Sequence, residues 1–211
     1  MIYREIAESE IEGLRARVGV SMSEKRYRHT LAVEEMASRL ADLYCPEKKN
    51  KIRAAALLHD ITKELSADEH IEICKEYGVS LTPEDIAAPK THHARTAAIL
   101  IPMRYPEFSD IEIINAVRYH TTACAYMTLC EKIIYLADYI DETRTFWDCI
   151  KLRNMFWDAE PQNMTDEERL VHLDTVLLEA VNMSINSLIE ERRVISCDTV
   201  SARNSLLLNI K

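Results

Sequence analysis

The chain has 211 residues, 47% of them hydrophobic, so one substantial core or two small ones are available. Its formal net charge of −9 argues against a nucleic-acid duplex or an anionic membrane as the main partner. Only 3 glycines and 6 prolines leave few strand turns and many uninterrupted helical windows, so composition favours an all-α fold.

Residues 1–18 carry Ile2, Ile6, Leu14 and Val18 at amphipathic-helix spacing. Ser21 with Glu24 reads as a capping box opening a helix over about 22–44, with His29, Val33, Met36 and Leu40 on one stripe. A central apolar helix is predicted over about 47–61, ending in His59 and Asp60 with Lys63 just beyond. Ser66 and Glu69 cap a helix that Gly78 stops, and Thr82-Pro83 starts a short one. A helix near 91–101 ends before Pro102. Ser109 with Glu112, Thr128 with Glu131 and Thr165 with Glu168 each open a further helix. Between the last two, Trp147, Ile150, Phe156 and Trp157 predict a helix packed on the core, with Pro161 at its end. The segment from Val194 to Lys211 reads as a loop and short helix. With no repeat or linker, the expectation is a single domain over 1–211, its core at about 20–145 and residues 146–211 packed on it.

The six cysteines form no C-x-x-C pair, so they read as reduced structural thiols. The N-terminus lacks an apolar secretory stretch, and no run approaches the about 18 apolar residues of a membrane span. A cytoplasmic protein is expected. Surface Tyr and Met are compatible with a homodimer, though equally with core packing.

Several titratable residues point where their helices are apolar. His29 shares a face with Val33, Met36 and Leu40. His59 follows Ile52, Ala55 and Ala56; His93 precedes Ala97 and Leu100; His120 follows Ile113 and Val117; Asp138 follows Ile134. A lone inward histidine is usually a satisfied core residue, and His70, His92 and His172 take that reading. Four imidazoles together with Asp60 and Asp138 are harder to bury, since each unpaired group costs on the order of a few kcal/mol. A divalent cation is the simplest compensator. No Gly-rich phosphate loop, G-x-S-x-G or Cys-His arrangement offers another route, leaving metal-activated water as the attacking species.

These residues stand in motifs that resemble the HD-domain superfamily of metal-dependent phosphohydrolases, an all-α helical bundle. Within it they resemble the YqeK family of symmetrical diadenosine tetraphosphate hydrolases. The matching stretches are Arg26-Tyr-Arg-His-Thr30, Leu58-His-Asp-Ile-Thr-Lys63, His93-Ala94, Val117-Arg-Tyr-His-Thr121, Glu131 to Ile140 and Asp198 to Asn204. Ala94 favours His93 over His92 as the working histidine. The chain departs from the family at Ala97, where glycine is usual, and at Asp141-Glu142, where Glu-Pro is usual.

The resemblance implies a primary metal site of His29, His59, Asp60 and Asp138, with iron as the ion; Mn or Zn also suits imidazole and carboxylate ligands. His93 and His120 either hold a second metal or contact substrate phosphate. Asp60 and Lys63 are the expected catalytic residues. Substrate contacts are expected from Arg26, His29, His93, His120, Thr121, Asp138, Arg144, Asp198 and Thr199. The tail around Asp198 either closes over the nucleotide or packs as a terminal element with Asp198 as a helix cap. The implied reaction is metal-dependent hydrolysis of a dinucleoside polyphosphate to two nucleoside diphosphates. A general HD nucleotidase or phosphodiesterase and a non-catalytic nucleotide sensor are the alternatives.

Overall fold

The computed structural model describes residues 5–210, and among them are eleven α-helices and no strand. The fold class is therefore all-α, as the scarcity of glycine and proline predicts. The first helix, α1 (Glu8–Gly19), buries Ile11, Leu14 and Val18, with Ile6 beside it. Ile2, expected on the same stripe, lies outside the described residues.

The expected cap at Ser21 is corrected. Its hydroxyl donates to Val18 O and so finishes α1. Ser23 caps α2 (Glu24–Tyr44) instead, accepting from Arg26 N at 3.3 Å. Ser23 N is in turn bound by Glu64 at 2.9 Å, so the reciprocal carboxylate comes from beyond α3 and not from Glu24.

α3 (Lys49–Leu58) is the buried centre, packed against α1, α2, α7 and α8. Its run of Ala54, Ala55 and Ala56 is fully covered, and these small side chains let several neighbours approach closely. The helix stops at Leu58, earlier than predicted, and tight turns run from there to Leu65. His59 and Asp60 thus stand at the C-terminal end of a buried helix.

α4 (Ala67–Glu76) opens with the predicted Ser66–Glu69 box, and Gly78, at φ +69°, ends the segment in the left-handed region that glycine tolerates. After α5 (Pro83–Ala87), α6 (His92–Arg104) runs through Pro102. Pro102 lies in the last turn, where the lost N–H removes a single bond and Tyr105 N still donates to Ile101 O at 2.8 Å. α7 (Ile111–Tyr119) is capped by Asp110, which accepts from Glu112 N at 2.8 Å, and not by Ser109, which closes the preceding turn. α8 (Leu129–Ile140) has the predicted Thr128–Glu131 box.

α9 (Trp147–Trp157) buries Cys149, Leu152 and Phe156, but Trp147 is 71% exposed, so the face predicted from the aromatics is only partly the buried one. Pro161 begins a separate short turn after Glu160. α10 (Asp166–Glu190) follows the predicted Thr165–Glu168 box. The tail is one helix, α11 (Cys197–Asn209), longer than expected and capped by Ser196. Asp198 is not the cap: its N–H donates to Ser196 Oγ at 3.2 Å. Asp174 of α10 joins three helices, meeting Lys132 Nζ of α8 at 2.5 Å and Asn209 Nδ2 of α11 at 3.1 Å. The six cysteines are unpaired.

Candidate metal centre

Five helices deliver their polar residues to one point. His29 projects from the second turn of α2, His59 and Asp60 follow α3, and His93 opens α6. His120 follows α7, and Asp138 stands near the end of α8. His59, Asp60, His93 and His120 are each no more than 3% exposed, so water does not satisfy them.

Local backbone chemistry aims the rings. An α-helix leaves its last carbonyls unpaired. His59 Nδ1 donates to Ala56 O at 2.6 Å, and His120 Nδ1 donates to Val117 O at 2.7 Å. Each bond fixes the tautomer that leaves Nε2 as a lone-pair donor facing the centre. His59 Nε2 lies 3.3 Å from Asp60 Oδ2, and His93 Nε2 lies 3.3 Å from Asp60 Oδ1. His120 Nε2 is 3.7 Å from Asp60 Oδ1 and 3.0 Å from His93 Nε2. On the other flank His29 Nε2 is 3.0 Å from Asp138 Oδ1 and 3.8 Å from Asp60 Oδ2.

Two overlapping ligand sets result: His29, His59 and Asp138, and His59, Asp60 and His120, each with donor atoms within 4.8 Å of one another. His29 Nε2, His59 Nε2 and Asp60 Oδ1 are buried without an aligned hydrogen bond. Orphaned acceptors in a dry interior are costly, and a cation among them removes that cost. The residues present therefore fit a divalent ion, and their mixed imidazole and carboxylate character suits Fe, Mn or Zn.

The electrostatics agree. Burial opposes the charge of Asp60, but His59, His120 and Lys63 outweigh it and hold the carboxyl well below its ordinary range. Asp138 is likewise depressed, against its burial, by His29, Arg144 and His59. Burial lowers His93 and His120. It also lowers Lys63, despite Asp60 and Asp138 nearby. Burial works against a charged His29 as well, yet Asp138 and Asp141 raise it to about 9.

The cations expected from the sequence are in place. Arg26 Nη1 donates to Asp60 Oδ2 at 2.7 Å. Lys63 Nζ lies 3.0 Å from His93 Nε2 and 4.0 Å from Asp60 Oδ1. Arg144 bonds the Asp138 carboxylate and also donates from Nε to Asp138 O at 2.8 Å. Thr121 follows His120 with a buried hydroxyl that has no hydrogen-bond partner. Asp198 and Thr199 are not bonded to the cluster. Asp198 pairs with Arg118 at 3.9 Å, and Thr199 is buried in the first turn of α11. His92 turns away, its Nε2 bonding Asp85 O at 2.7 Å, so His93 is the histidine of the cluster. His70 and His172 are satisfied by Thr96 and by Phe156 O.

One residue escaped the sequence reading. Asp141 is fully buried, its Oδ2 3.5 Å from His29 Nδ1, while Thr143 N donates to its Oδ1 at 2.9 Å. It lies three residues past Asp138, on the same side of the chain, and that spacing was the available signal.

The HD domain family matches residues 26–143 of this chain. This chain belongs to the HD domain family. The match begins at Arg26 and ends at Thr143, so it spans every residue of the cluster. Among HD relatives, the symmetrical bis(5'-nucleosyl)-tetraphosphatase of Halalkalibacterium halodurans is 32% identical over 90% of this chain and 93% of its own length. The protein of that name from Bacillus subtilis is 36% identical over 59% of this chain and 66% of its own. A crystal structure of a predicted HD superfamily hydrolase involved in NAD metabolism, from Clostridium acetobutylicum, superimposes with a TM-score of 0.80. It is 33% identical, over 93% of this chain and 96% of that one. The near-full-length likeness places this HD domain in the branch that holds the symmetrical tetraphosphatases, as the YqeK resemblance implied.

Proposed function

We propose that this chain hydrolyses diadenosine tetraphosphate and related dinucleoside polyphosphates symmetrically, to two nucleoside diphosphates. The observation that carries the reading is the buried convergence of His29, His59, Asp60 and Asp138 in a chain that is similar, end to end, to an enzyme of that name. Those four residues would hold the ion, taken to be iron, and His93 and His120 would complete the site by binding a second ion or substrate phosphate. An ion there would supply Lewis acidity to the phosphoryl group and to the attacking water.

The chain's own residues do the rest. Water adds to the second phosphorus, and the bond from that phosphorus to the oxygen bridging it to the third phosphorus breaks. Both products are then ADP. Asp60 would share the ion with the imidazoles, since the Nε2 atoms of His59, His93 and His120 all lie close to its two oxygens. Lys63, Arg26 and Arg144 stand beside the cluster and offset the charge of four linked phosphates. Arg26 and Arg144 also hold the two carboxylates in position, so their loss is expected to affect metal retention as well as substrate binding. No helix among the described residues is long and apolar enough to cross a membrane, and the setting is taken to be cytoplasmic.

The test is to incubate the iron-loaded, reduced protein with diadenosine tetraphosphate and separate the nucleotides. ADP as the sole product is expected. ATP with AMP would reject symmetrical cleavage. Phosphate from AMP, or a linear product from a cyclic dinucleotide, with diadenosine tetraphosphate untouched, would point to a different HD activity.

A further inference from the structure

Beside the cluster lies an open cleft of about 650 Å³ between the start of α2 and the segment leading into α9. His29 and Arg144 line it, so it adjoins the metal centre directly. Of its nine lining residues, Lys25, Arg26, Arg28 and Arg144 are cationic and Glu24 alone is acidic. Lys25 and Arg28 form no ion pair among the described residues, and Arg26 Nε is buried without a hydrogen-bond partner. Arg26 and Arg144 are paired with Asp60 and Asp138, but Lys25 and Arg28 carry charge that no carboxylate offsets, and on a chain of net charge −9 that points to an anionic ligand.

Phe146 completes this cleft and is 71% exposed. It also occupies the N-cap position of α9, where no side-chain cap is made. Seven of the described α-helices are capped by a side-chain oxygen, whereas α1, α3, α6 and α9 are not. Phenylalanine at this position forgoes that stabilisation and leaves a π-face open beside four cations. Cations along a groove with an aromatic face at the end match phosphates followed by a base. The adjacent Trp147 does not line the cleft; it sits 5.7 Å from Lys151 Nζ instead.

We propose that this cleft is a nucleoside-phosphate subsite in which Phe146 stacks on one nucleobase while Lys25 and Arg28 neutralise the phosphates next to it. The assignment rests on the hydrolase reading above and adds where one half of the dinucleotide lies. Phe146 acts in binding, not in the chemical step.

Phe146→Ser separates this role from a structural one, because serine installs the missing cap. With metal-loaded protein, the expected result is a KM for diadenosine tetraphosphate raised about tenfold with kcat within about twofold, the size of one lost stacking contact. ADP binding weakens about as much, tripolyphosphate binding is unchanged, and the melting temperature holds or rises. Phe146→Tyr keeps wild-type KM and ADP affinity, and Trp147→Ala changes neither. Wild-type ADP affinity in Phe146→Ser would overturn the proposal. So would equal weakening of ADP and tripolyphosphate together with a lowered melting temperature. If ADP binding depends on Phe146 but diadenosine tetraphosphate stays intact, the hydrolase reading fails and the subsite stands. Symmetrical cleavage with ADP binding indifferent to Phe146 gives the reverse.

Discussion

Asp141 Oδ2 lies 3.5 Å from His29 Nδ1, across the ring from the Nε2 that faces Asp138 Oδ1 at 3.0 Å. His29 Nδ1 is hydrogen-bonded to Thr143 Oγ1 at 3.3 Å, and Thr143 in turn bonds Asp141 Oδ1, so Asp141 acts on the ring through Thr143 and through its charge while Nε2 points at the metal position. Asp141→Asn keeps the shape and removes the charge. Metal affinity is expected to fall about 10–100-fold, with turnover restored by excess metal. A competition assay against a calibrated chelator measures it. Unchanged affinity would make Asp141 a purely structural carboxylate.

Asp60 is the hub, approached by His59, His93, His120 and Arg26. Asp60→Ala is expected to abolish both metal retention and turnover while far-UV circular dichroism stays helical. Elemental analysis and product separation on one preparation give both readouts. Full activity in this variant would exclude the assignment.

Phe156 is fully buried and joins three helices, its ring centroid 6.4 Å from Tyr44 on α2 and 5.2 Å from His172 on α10. Phe156→Ala is expected to cost about 3–5 kcal/mol. If residues 146–211 fold with the HD core as one unit, denaturant unfolding stays a single transition shifted to lower midpoint. Two separable transitions would divide the chain.

Glu112 accepts from Lys48 Nζ and Lys51 Nζ, each at 2.6 Å, tying α3 to the start of α7. Burial pushes its pKa up, but the two lysines outweigh burial and leave it below its ordinary value of 4.5. A depressed carboxyl stabilises the fold above its unfolded pKa, and that contribution is lost as pH falls through the folded one. Glu112→Gln is expected to cost about 1–2 kcal/mol near neutral pH. The gap in melting temperature between Glu112→Gln and wild type should close as pH drops below 4.5. A gap that widens under acid would contradict the sign.

Much of the site was readable because helical periodicity is local. His29, His59, His120 and Asp138 each share a stripe with apolar neighbours, and those stripes turned inward as the 3.6-residue repeat requires. Other features depend on tertiary partners. Ser23 displaced Ser21 as a cap because Glu64, far along the chain, binds its backbone N–H. Trp147 read as core from its side chain alone, yet it opens α9 on the solvent side. His92 and His93 are both buried, and the contact of His92 with Asp85 O tells them apart. Asp141 was signalled only by its spacing from Asp138, and its place beside Thr143 and the second nitrogen of His29 comes from the tertiary fold.

Metal content per chain is the most direct test of the central claim, that inward imidazoles and carboxylates are compatible with the helical core because a cation joins them. Elemental analysis of freshly purified, reduced wild-type protein is expected to find about one or two equivalents of a transition metal, iron foremost. Protein that hydrolyses diadenosine tetraphosphate at full rate with no stoichiometric divalent metal would contradict it.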